Sequence, residues 1–557
     1  MTEMMRTGGE LVVRMLEQNG VDRLFCVPGE SYLAVLDALH DSPITVTVCR
    51  QEGGAAMMAE ADGKLTGRPG ICFVTRGPGA TNAASGVHVA RQDSTPMILF
   101  VGQIARDQRD REAFQEIDYR SMYGTVAKWV TEIDDAARVP EILARAFTVA
   151  MSGRPGPVVI ALPEDMLRDR VAVPLAEPSR AIPTAPGADA MAEFADRLNA
   201  AKRPIAILGG SRWTADAVAA VTRFAERFDL PVCCSFRRQM LFDHEHPNYA
   251  GDVGLGVNPK LIARIKASDL VILIGGRMSE SPSQGYTLFD IPTPAQPLVH
   301  VHPDAGELGR VYQPAQAINA APDAFAAALD DLSPAGPRDG GEAVRAAHAE
   351  FEAWATPPES NPGDVHMGPI VSALRAALPA DVIVTNGAGN YATWVHRFWR
   401  FRGFGTQLAP TSGSMGYGLP AAIAAKLRCP DRPVVAFIGD GCFQMTSQEF
   451  GTAMQAGAAI VVVLVDNGIY GTIRMHQEKR YPARVVGTDL VNPDFAALAR
   501  AHGGHGETVT ETAAFMPAFE RAMASGKPAI VHVRLSPEAI TPTATLTGLR
   551  TTAQQNA

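Results

Sequence analysis

The sequence has no run of lysines or arginines, no apolar stretch long enough to cross a bilayer and no CxxC pair. Each absence removes a class of function. Nucleic acids and anionic membranes are held by clustered positive charge, yet Asp and Glu outnumber Lys and Arg here, 59 to 50, for a net charge of −9. Neither is expected as a partner. A small anionic substrate stays open, because one site can be positive on an acidic protein. A membrane helix needs ~20 apolar residues, whereas the longest candidate, AAIVVVLV (458–465), suits a buried strand. The seven cysteines (Cys26, Cys49, Cys72, Cys233, Cys234, Cys429 and Cys442) show no zinc spacing, and most sit in apolar runs. Buried thiols in a reducing cytosol are the expectation. The opening MTEMMRTGGELVV lacks the apolar core of a signal peptide, so a cytoplasmic protein is expected.

What is present is length and repetition. A chain of 557 residues exceeds one hydrophobic core and points to three domains. Two stretches rich in Pro, Gly and Ala, PLAEPSRAIPTAPGADA (174–190) and SPAGPRDGGEA (333–343), read as linkers. They give an N-terminal domain over 1–175, a central domain over 190–332 and a C-terminal domain over 360–540. A polar tail, 541–557, follows, as a mobile segment or a lid. Each third alternates short β-branched apolar runs with helical stretches. The runs include RLFCVPG, ITVTVC, GICFVT and MILFVG, then PIAILGG, LPVCCS, LVILIGG and PLVHVHPD, then DVIVTNG, PVVAFIGDG and AIVVVLVDN. Continuous apolar runs between helices indicate parallel sheets covered on both faces. The fold class is therefore α/β, with three doubly wound sheets, and ligands belong beyond the carboxyl ends of their strands.

Two such strand ends carry the chemistry. PVVAFIGDGCFQMTSQEF (433–450) reads strand, Gly-Asp-Gly, helix, and AIVVVLVDNGIYG (459–471) delivers Asp466 and Asn467 at its own end. A lone Gly-Asp-Gly is usually just a turn. Paired on neighbouring strands, Asp440 and the Asn467 side chain can share a hard cation, with the Ile469 carbonyl as a third oxygen. Oxygen-only coordination with room for phosphate suits Mg²⁺. Gly439 and Gly441 let the backbone approach a diphosphate, and a helix starting near Thr446 would point its positive end there.

This spacing, and the order of parts over nearly the whole chain, resembles the thiamine-diphosphate enzymes of the acetolactate synthase type. The resemblance implies a pyrimidine-binding first domain, a central domain that sometimes carries FAD, and a last domain binding diphosphate and Mg²⁺. In VCRQEGGAAMMAEADGKLTGRPGICFVTRGPGATNAASG (48–86) it makes Glu52 the carboxylate that bonds the pyrimidine nitrogen. Sharing a proton there helps the cofactor ionise at its reactive carbon. The plain alternative for Glu52 is an acid favoured at a helix N-terminus. In APTSGSMGYGLPAAIAA (409–425) the resemblance places the Gly413 carbonyl on the aminopyrimidine and Met415 between the cofactor rings, although a Met in an apolar run is ordinarily core. Gly389, Asn390 and Tyr391 stand where relatives carry Gly-Gln-His on the diphosphate. Gly439, Gly441, Cys442 and Gly471 complete that shell. Phe114 and Gln115 face the substrate by the same resemblance, and Lys128 matches a familiar lysine.

The sequence also departs from the pattern. Glu30, in CVPGESY (26–32), puts a carboxylate where acetolactate synthases carry Gly-Gly-Ala. Simple 2-oxo-acid decarboxylases have an acid there, but also a His-His pair and a later glutamate. Here there is no His-His, and Ile473 takes the glutamate position. His476 replaces a substrate-entrance Trp. Arg154 matches a flavin-contacting arginine, and Arg277 another, but the Phe-Asp-Asp-Arg expected after it is missing. FAD is therefore an open expectation.

The function expected is carboligation, in which a 2-oxo acid such as pyruvate loses CO2 and the remaining fragment joins a second carbonyl. The alternatives are a thiamine-diphosphate decarboxylase, C–C lyase or hydrolase on another 2-oxo acid, acyloin or diketone, and a catalytically silent regulatory subunit. Intact Glu52, Asp440 and Asn467 argue against silence. The resemblance further implies a homodimer or homotetramer with its sites at subunit interfaces.

Overall fold

Three six-stranded sheets organise the chain, and every pairing within them is parallel. The computed structural model describes residues 4–336, 341–358 and 361–556. Positions 337–340 of the second expected linker, residue 360 at the expected start of the third domain and residue 557 of the tail lie outside them. The first sheet runs Thr45–Val48, Arg23–Cys26, Gly70–Val74, Met97–Gln103, Pro157–Pro163, Trp129–Glu132. The central one runs Tyr249–Val253, Val232–Ser235, Pro204–Leu208, Leu270–Ile274, Leu298–Val301, Gln316–Ile318. The last runs Gln407–Leu408, Ile383–Asn386, Val434–Gly439, Val461–Asp466, Ala529–Arg534, His505–Val509. The α/β class expected from the apolar runs is the observed one. Edge strands such as Trp129–Glu132 and His505–Val509 lack such a run and escape sequence reading.

The runs are continuous because both faces are covered. In the central sheet Ala206, Leu208, Cys234 and Ile272 join one core cluster, while Ile205, Ile207, Cys233 and Val271 join another. The adjacent Cys233 and Cys234 thus point to opposite faces. All seven cysteines are unbridged and all but Cys429 are buried. Burial pushes the Cys233 and Cys234 thiols well above their ordinary range. No helix among the described residues is long and apolar enough to cross a membrane.

The chain forms two compact units. One contains residues up to Ile182 together with Pro410–Pro430 and Thr446–Ala458; the other contains Pro183–Ala409, Asp431–Met445 and Ala459 onward. Between Val171 and Ala188 there is neither helix nor strand. In the second unit the tail pairs Ala539–Thr541 with Ala544–Thr545 and ends in the helix Leu546–Gln555. Arg550 on that helix binds the fully buried Glu478 carboxylate at 2.5 and 2.9 Å.

The first unit is pinned by a buried charge cluster. Lys64, on the helix Glu52–Thr66, pairs with Glu60 at 3.0 Å and with Asp93. Glu60 also accepts from Thr95 and Tyr417 hydroxyls, each at 2.6 Å. Asp93 accepts the Thr411 N–H at 2.6 Å as well as its hydroxyl. The segment 411–417 is thereby anchored at both ends to helices of the first sheet. Removing one partner of a buried ion pair typically costs about 3–5 kcal/mol, because the remaining charges lose compensation. Lys64→Met should therefore lower unfolding free energy by about that amount in urea titration. A loss below about 1 kcal/mol would contradict the cluster's anchoring role.

Candidate active site

Three neighbouring strands of the first sheet end side by side and deliver Glu52, Glu30 and the turn Thr75–Gly79. Glu52 opens its helix because Gln51 caps it, the side chain accepting the Gly54 N–H at 3.1 Å. Its carboxylate accepts the Asn82 amide at 2.9 Å. Thr75 joins the loops. Its hydroxyl lies 2.8 Å from that of Ser31, and a Cβ on Gly29 would come within 2.5 Å of Thr75 Cβ. A Cβ on Gly79 would lie 2.8 Å from Thr75 and 3.4 Å from Glu52 Oε1. Those two positions therefore need glycine. Gly77 packs on Gln115 in the same way, at 2.7 Å, and donates its N–H to the Tyr119 hydroxyl at 2.9 Å. Glu52, Glu30 and Gln115 thus share one sheet edge, and Phe114 beside Gln115 is 73% exposed.

Two residues expected at ligand sites make hydrogen bonds within this unit. Lys128 donates to the carbonyls of Arg154, at 2.8 Å, and Ser152. Arg154, 5% exposed, donates to Ser94 Oγ at 2.8 Å and to the Arg91 carbonyl at 2.7 Å. Both side chains tie the loop before Pro157–Pro163 to its surroundings, and sequence matching could not see this. Gly413 has φ +68 and nothing within 4 Å of a Cβ position, so its turn is open. Met415 is half-buried, and the Gly416 carbonyl accepts from Thr446 Oγ1 at 2.7 Å.

In the second unit Val434–Gly439 and Val461–Asp466 pair in register, Gly439 opposite Val465. Asp440 and Asp466 therefore emerge together. The Gly468 N–H lies 3.0 Å from a carboxylate oxygen of each. Asn492 reaches the same two oxygens with its amide, at 2.7 and 2.8 Å. Asp466 is further bound by His532 at 2.8 Å and Arg534 at 2.7 Å. Asn467 Oδ1 accepts the Ile469 N–H at 3.3 Å, and its amide nitrogen lies 3.3 Å from the Cβ position of Gly471.

The Gly-Asp-Gly glycines have a reason beyond ligand approach. A Cβ on Gly439 would lie 2.6 Å from the Tyr391 ring, and one on Gly441 would lie 2.7 Å from Tyr470. Tyr391 accepts the Gly387 N–H at 3.0 Å and donates to Cys442 Sγ at 3.3 Å. Asn390 Oδ1 accepts from Thr472 Oγ1 at 2.8 Å. The helix expected near Thr446 begins earlier, at Asp440, since Gly439 is extended (φ −75°, ψ 157°) and the chain turns directly into Asp440–Gln444. The longer helix starts only at Glu449. His476 is exposed on Gly471–Arg480. Partial burial, then Lys479 and Arg480, lower its pKa, so it carries little charge at neutral pH.

The acids respond differently to burial. Burial pushes the Asp440 carboxyl above its ordinary range, with the nearby Asp466 adding to the rise. Burial acts upward on Asp466 too, but His532, Asn492 and Arg534 outweigh it and hold that carboxylate low. A divalent cation beside Asp440 would reverse the first effect. The donors available are a carboxylate, an amide oxygen and backbone carbonyls, a set that fits Mg²⁺. Among the described residues no group of three or more His, Cys, Asp or Glu is placed to hold a metal.

Comparison with known proteins places the chain in a family. Residues 6–122 match the description "Thiamine pyrophosphate enzyme, N-terminal TPP binding domain", 191–329 its central domain and 387–533 its C-terminal TPP binding domain. The acetolactate synthase isozyme 2 large subunit of Escherichia coli K12 is 31% identical over 95% of each chain. The acetolactate synthase large subunit of Parasynechococcus marenigrum is 31% identical over 95% of this chain and 88% of its own length. That of Corynebacterium glutamicum is 32% identical over 93% and 84%. The chain belongs to the thiamine pyrophosphate enzymes. Within that family it is similar to the acetolactate synthase large subunits, and its cofactor class is thiamine diphosphate.

Sequence reasoning missed Asn82, Asn492 and His532 in this thiamine pyrophosphate enzyme. Asn82 lies within the 48–86 stretch but was not singled out, Asn492 and His532 stand in no motif, and each meets its acid only through the fold. Asn492 is the most consequential, since its amide lies between two buried carboxylates. Unsatisfying such groups costs about 1–3 kcal/mol each. Asn492→Ala should lower stability in metal-free buffer by at least about 1 kcal/mol, measured by urea unfolding. An unchanged midpoint would contradict the bridging role.

Proposed function

We propose that this enzyme is a thiamine-diphosphate carboligase of the acetolactate synthase type, taking a 2-oxo acid such as pyruvate as donor and a second carbonyl compound as acceptor. The observation that carries the proposal is the in-register pairing that brings Asp440 beside the Asn467–Gly468 turn. Similarity to proteins named acetolactate synthase over nearly the whole chain supports it. Thiamine diphosphate, when bound, supplies a carbon nucleophile and an electron sink for breaking a bond next to a carbonyl.

The chain's residues divide the remaining work. Asp440, Asn467 and the Ile469 carbonyl would hold Mg²⁺, while Gly389, Asn390, Tyr391, Gly439, Gly441, Cys442 and Gly471 would surround the diphosphate. Gly413 and Met415 would support the aminopyrimidine and thiazolium rings. Glu52, oriented by Asn82, would hold and exchange a proton at the pyrimidine nitrogen. Gln115 and Phe114 would face the substrate, with His476 as a neutral wall. Lys128 and Arg154 would act structurally. Glu30 favours a second reading, a lyase or hydrolase, because it puts another carboxylate on the edge that carries Glu52.

A second copy of the chain would complete each site. Phe114 at the first unit's strand ends, and Val486 and Val491 beside the metal loop of the second, are 73%, 75% and 101% exposed. Exposed apolar groups next to functional loops suit a subunit interface.

Two outcomes are expected. Calorimetry should show Mg²⁺-dependent binding of thiamine diphosphate by the wild type and none by Asp440→Ala, and pyruvate should yield acetolactate. Binding unchanged in Asp440→Ala contradicts the metal site, and acetaldehyde or no product contradicts carboligation. Separately, Glu52→Gln and Asp440→Ala chains, dissociated and reassembled together, should regain part of the activity each lacks alone. Failure to complement would place both halves of the site on one chain.

A further inference from the structure

In a doubly wound sheet a dinucleotide lies over the strand ends at the switch point, its diphosphate against glycine N–H groups and a helix N-terminus. In the central sheet that point falls between Pro204–Leu208 and Leu270–Ile274. Several of the groups such a ligand would use are engaged within the protein. The Gly209 N–H donates to the Ile274 carbonyl at 3.0 Å and the Gly275 N–H to the Val301 carbonyl at 2.8 Å. A Cβ on Gly210 would lie 1.8 Å from the Gly275 oxygen, so the two turns meet backbone to backbone. Pro322 closes on Gly275 from another side, 2.7 Å from its Cβ position. Thr214 caps the helix Ala215–Arg227, accepting the Ala217 N–H at 3.0 Å. Trp213, 7% exposed, folds back so that its indole N–H donates to the Gly209 carbonyl at 2.8 Å. Arg238, from the next strand end, donates through Nε to the Gly210 carbonyl at 2.8 Å.

The neighbouring residue reaches further. Arg237 is 3% exposed and has φ +57°, a conformation side chains rarely adopt. Its guanidinium donates to the Gly387 carbonyl at 2.8 Å. Gly387 opens the turn that runs to Tyr391 and donates its own N–H to the Tyr391 hydroxyl. The Tyr391 ring covers Gly439, next to Asp440. Gln239 reinforces the link, its N–H donating to Gln407 Oε1 at 2.8 Å and its amide to the His396 carbonyl at 2.7 Å.

We infer that the central sheet is closed to a flavin dinucleotide by Trp213, Arg238 and its own turns, and that Arg237 is a positioning residue setting the turn Gly387–Tyr391 for the cofactor diphosphate. The second half rests on the proposed role of that turn. Arg277 then has no flavin to contact.

The test uses the full-length protein purified with FAD in every buffer. Wild type should show no flavin absorbance and no quenching of added FAD fluorescence, yet bind thiamine diphosphate with Mg²⁺ in calorimetry. Arg237→Met should weaken that binding about ten- to hundredfold, the equivalent of one hydrogen bond to a charged group. Arg237→Gln, which keeps a polar group but loses the guanidinium that bonds the Gly387 carbonyl, should weaken it severalfold. It decides the matter if Arg237→Met does not fold. Melting of the cofactor-free proteins separates a purely structural role, which would lower stability and leave affinity untouched. Stoichiometric flavin in wild type overturns the closure and leaves the thiamine-diphosphate reading standing. Wild-type affinity in the folded variants overturns the positioning role. If the wild type itself binds no thiamine diphosphate, the proposed function fails, and the role of Arg237 with it.

Discussion

Two carboxylates must leave neighbouring parallel strands at the same level. Register places Gly439 opposite Val465, so Asp440 and Asp466 follow side by side, both almost fully buried. Like charges so placed resist ionising together. The fold meets this constraint asymmetrically. His532 and Arg534, on the next strand in register, bind Asp466 and keep it charged. Asn492 and the Gly468 N–H lie against both acids, and Asp440 is left as the carboxylate whose charge a cation would stabilise. Burial makes that charge costlier to hold, and a hard divalent ion at the same place would lower the cost.

The first unit solves a related problem with a fixed cation. Lys64 sits between Glu60 and Asp93 inside the helices that carry Glu52 and Asn82 near their N-terminal ends. The same acids hold Thr411 and Tyr417, so the turn containing Gly413 and Met415 inherits the rigidity of the helix pair. Each unit thus contains a polar cluster whose groups are oriented by buried partners. Preorganisation of this kind is what lets a protein tune a cofactor that carries the reaction itself.

Much of this was legible in the sequence. Strands buried on both faces announce themselves as unbroken apolar runs, which is why most central strands could be located and the polar edge strands could not. The placement of Glu52, Asp440 and Asn467 at strand ends was legible because each comes within a few residues of an apolar run and a sheet must present its carboxyl ends together. The rest depends on distance along the chain. Asn492 meets Asp440 from 52 residues away, and His532 meets Asp466 from 66. Lys128 and Arg154 were matched by position alone, and only the fold shows that Lys128 bonds the Arg154 carbonyl and Arg154 bonds Ser94 and the Arg91 carbonyl. The arginines after Val232–Ser235 carry no motif, yet they close one sheet's edge and reach the turn of another.

The central claim is that Glu52 works on a proton and not merely on a helix end. The direct measurement is hydrogen–deuterium exchange at the reactive thiazolium carbon of bound thiamine diphosphate, comparing wild type with Glu52→Gln under equal cofactor occupancy. An amide can still bond the pyrimidine nitrogen but cannot exchange a proton with it. Exchange should therefore slow by about 10²–10⁴-fold, the usual range of general acid–base assistance. Exchange as fast in Glu52→Gln as in wild type would contradict the account and reduce Glu52 to an acid at a helix N-terminus, worth about 0.3–1 kcal/mol of stability.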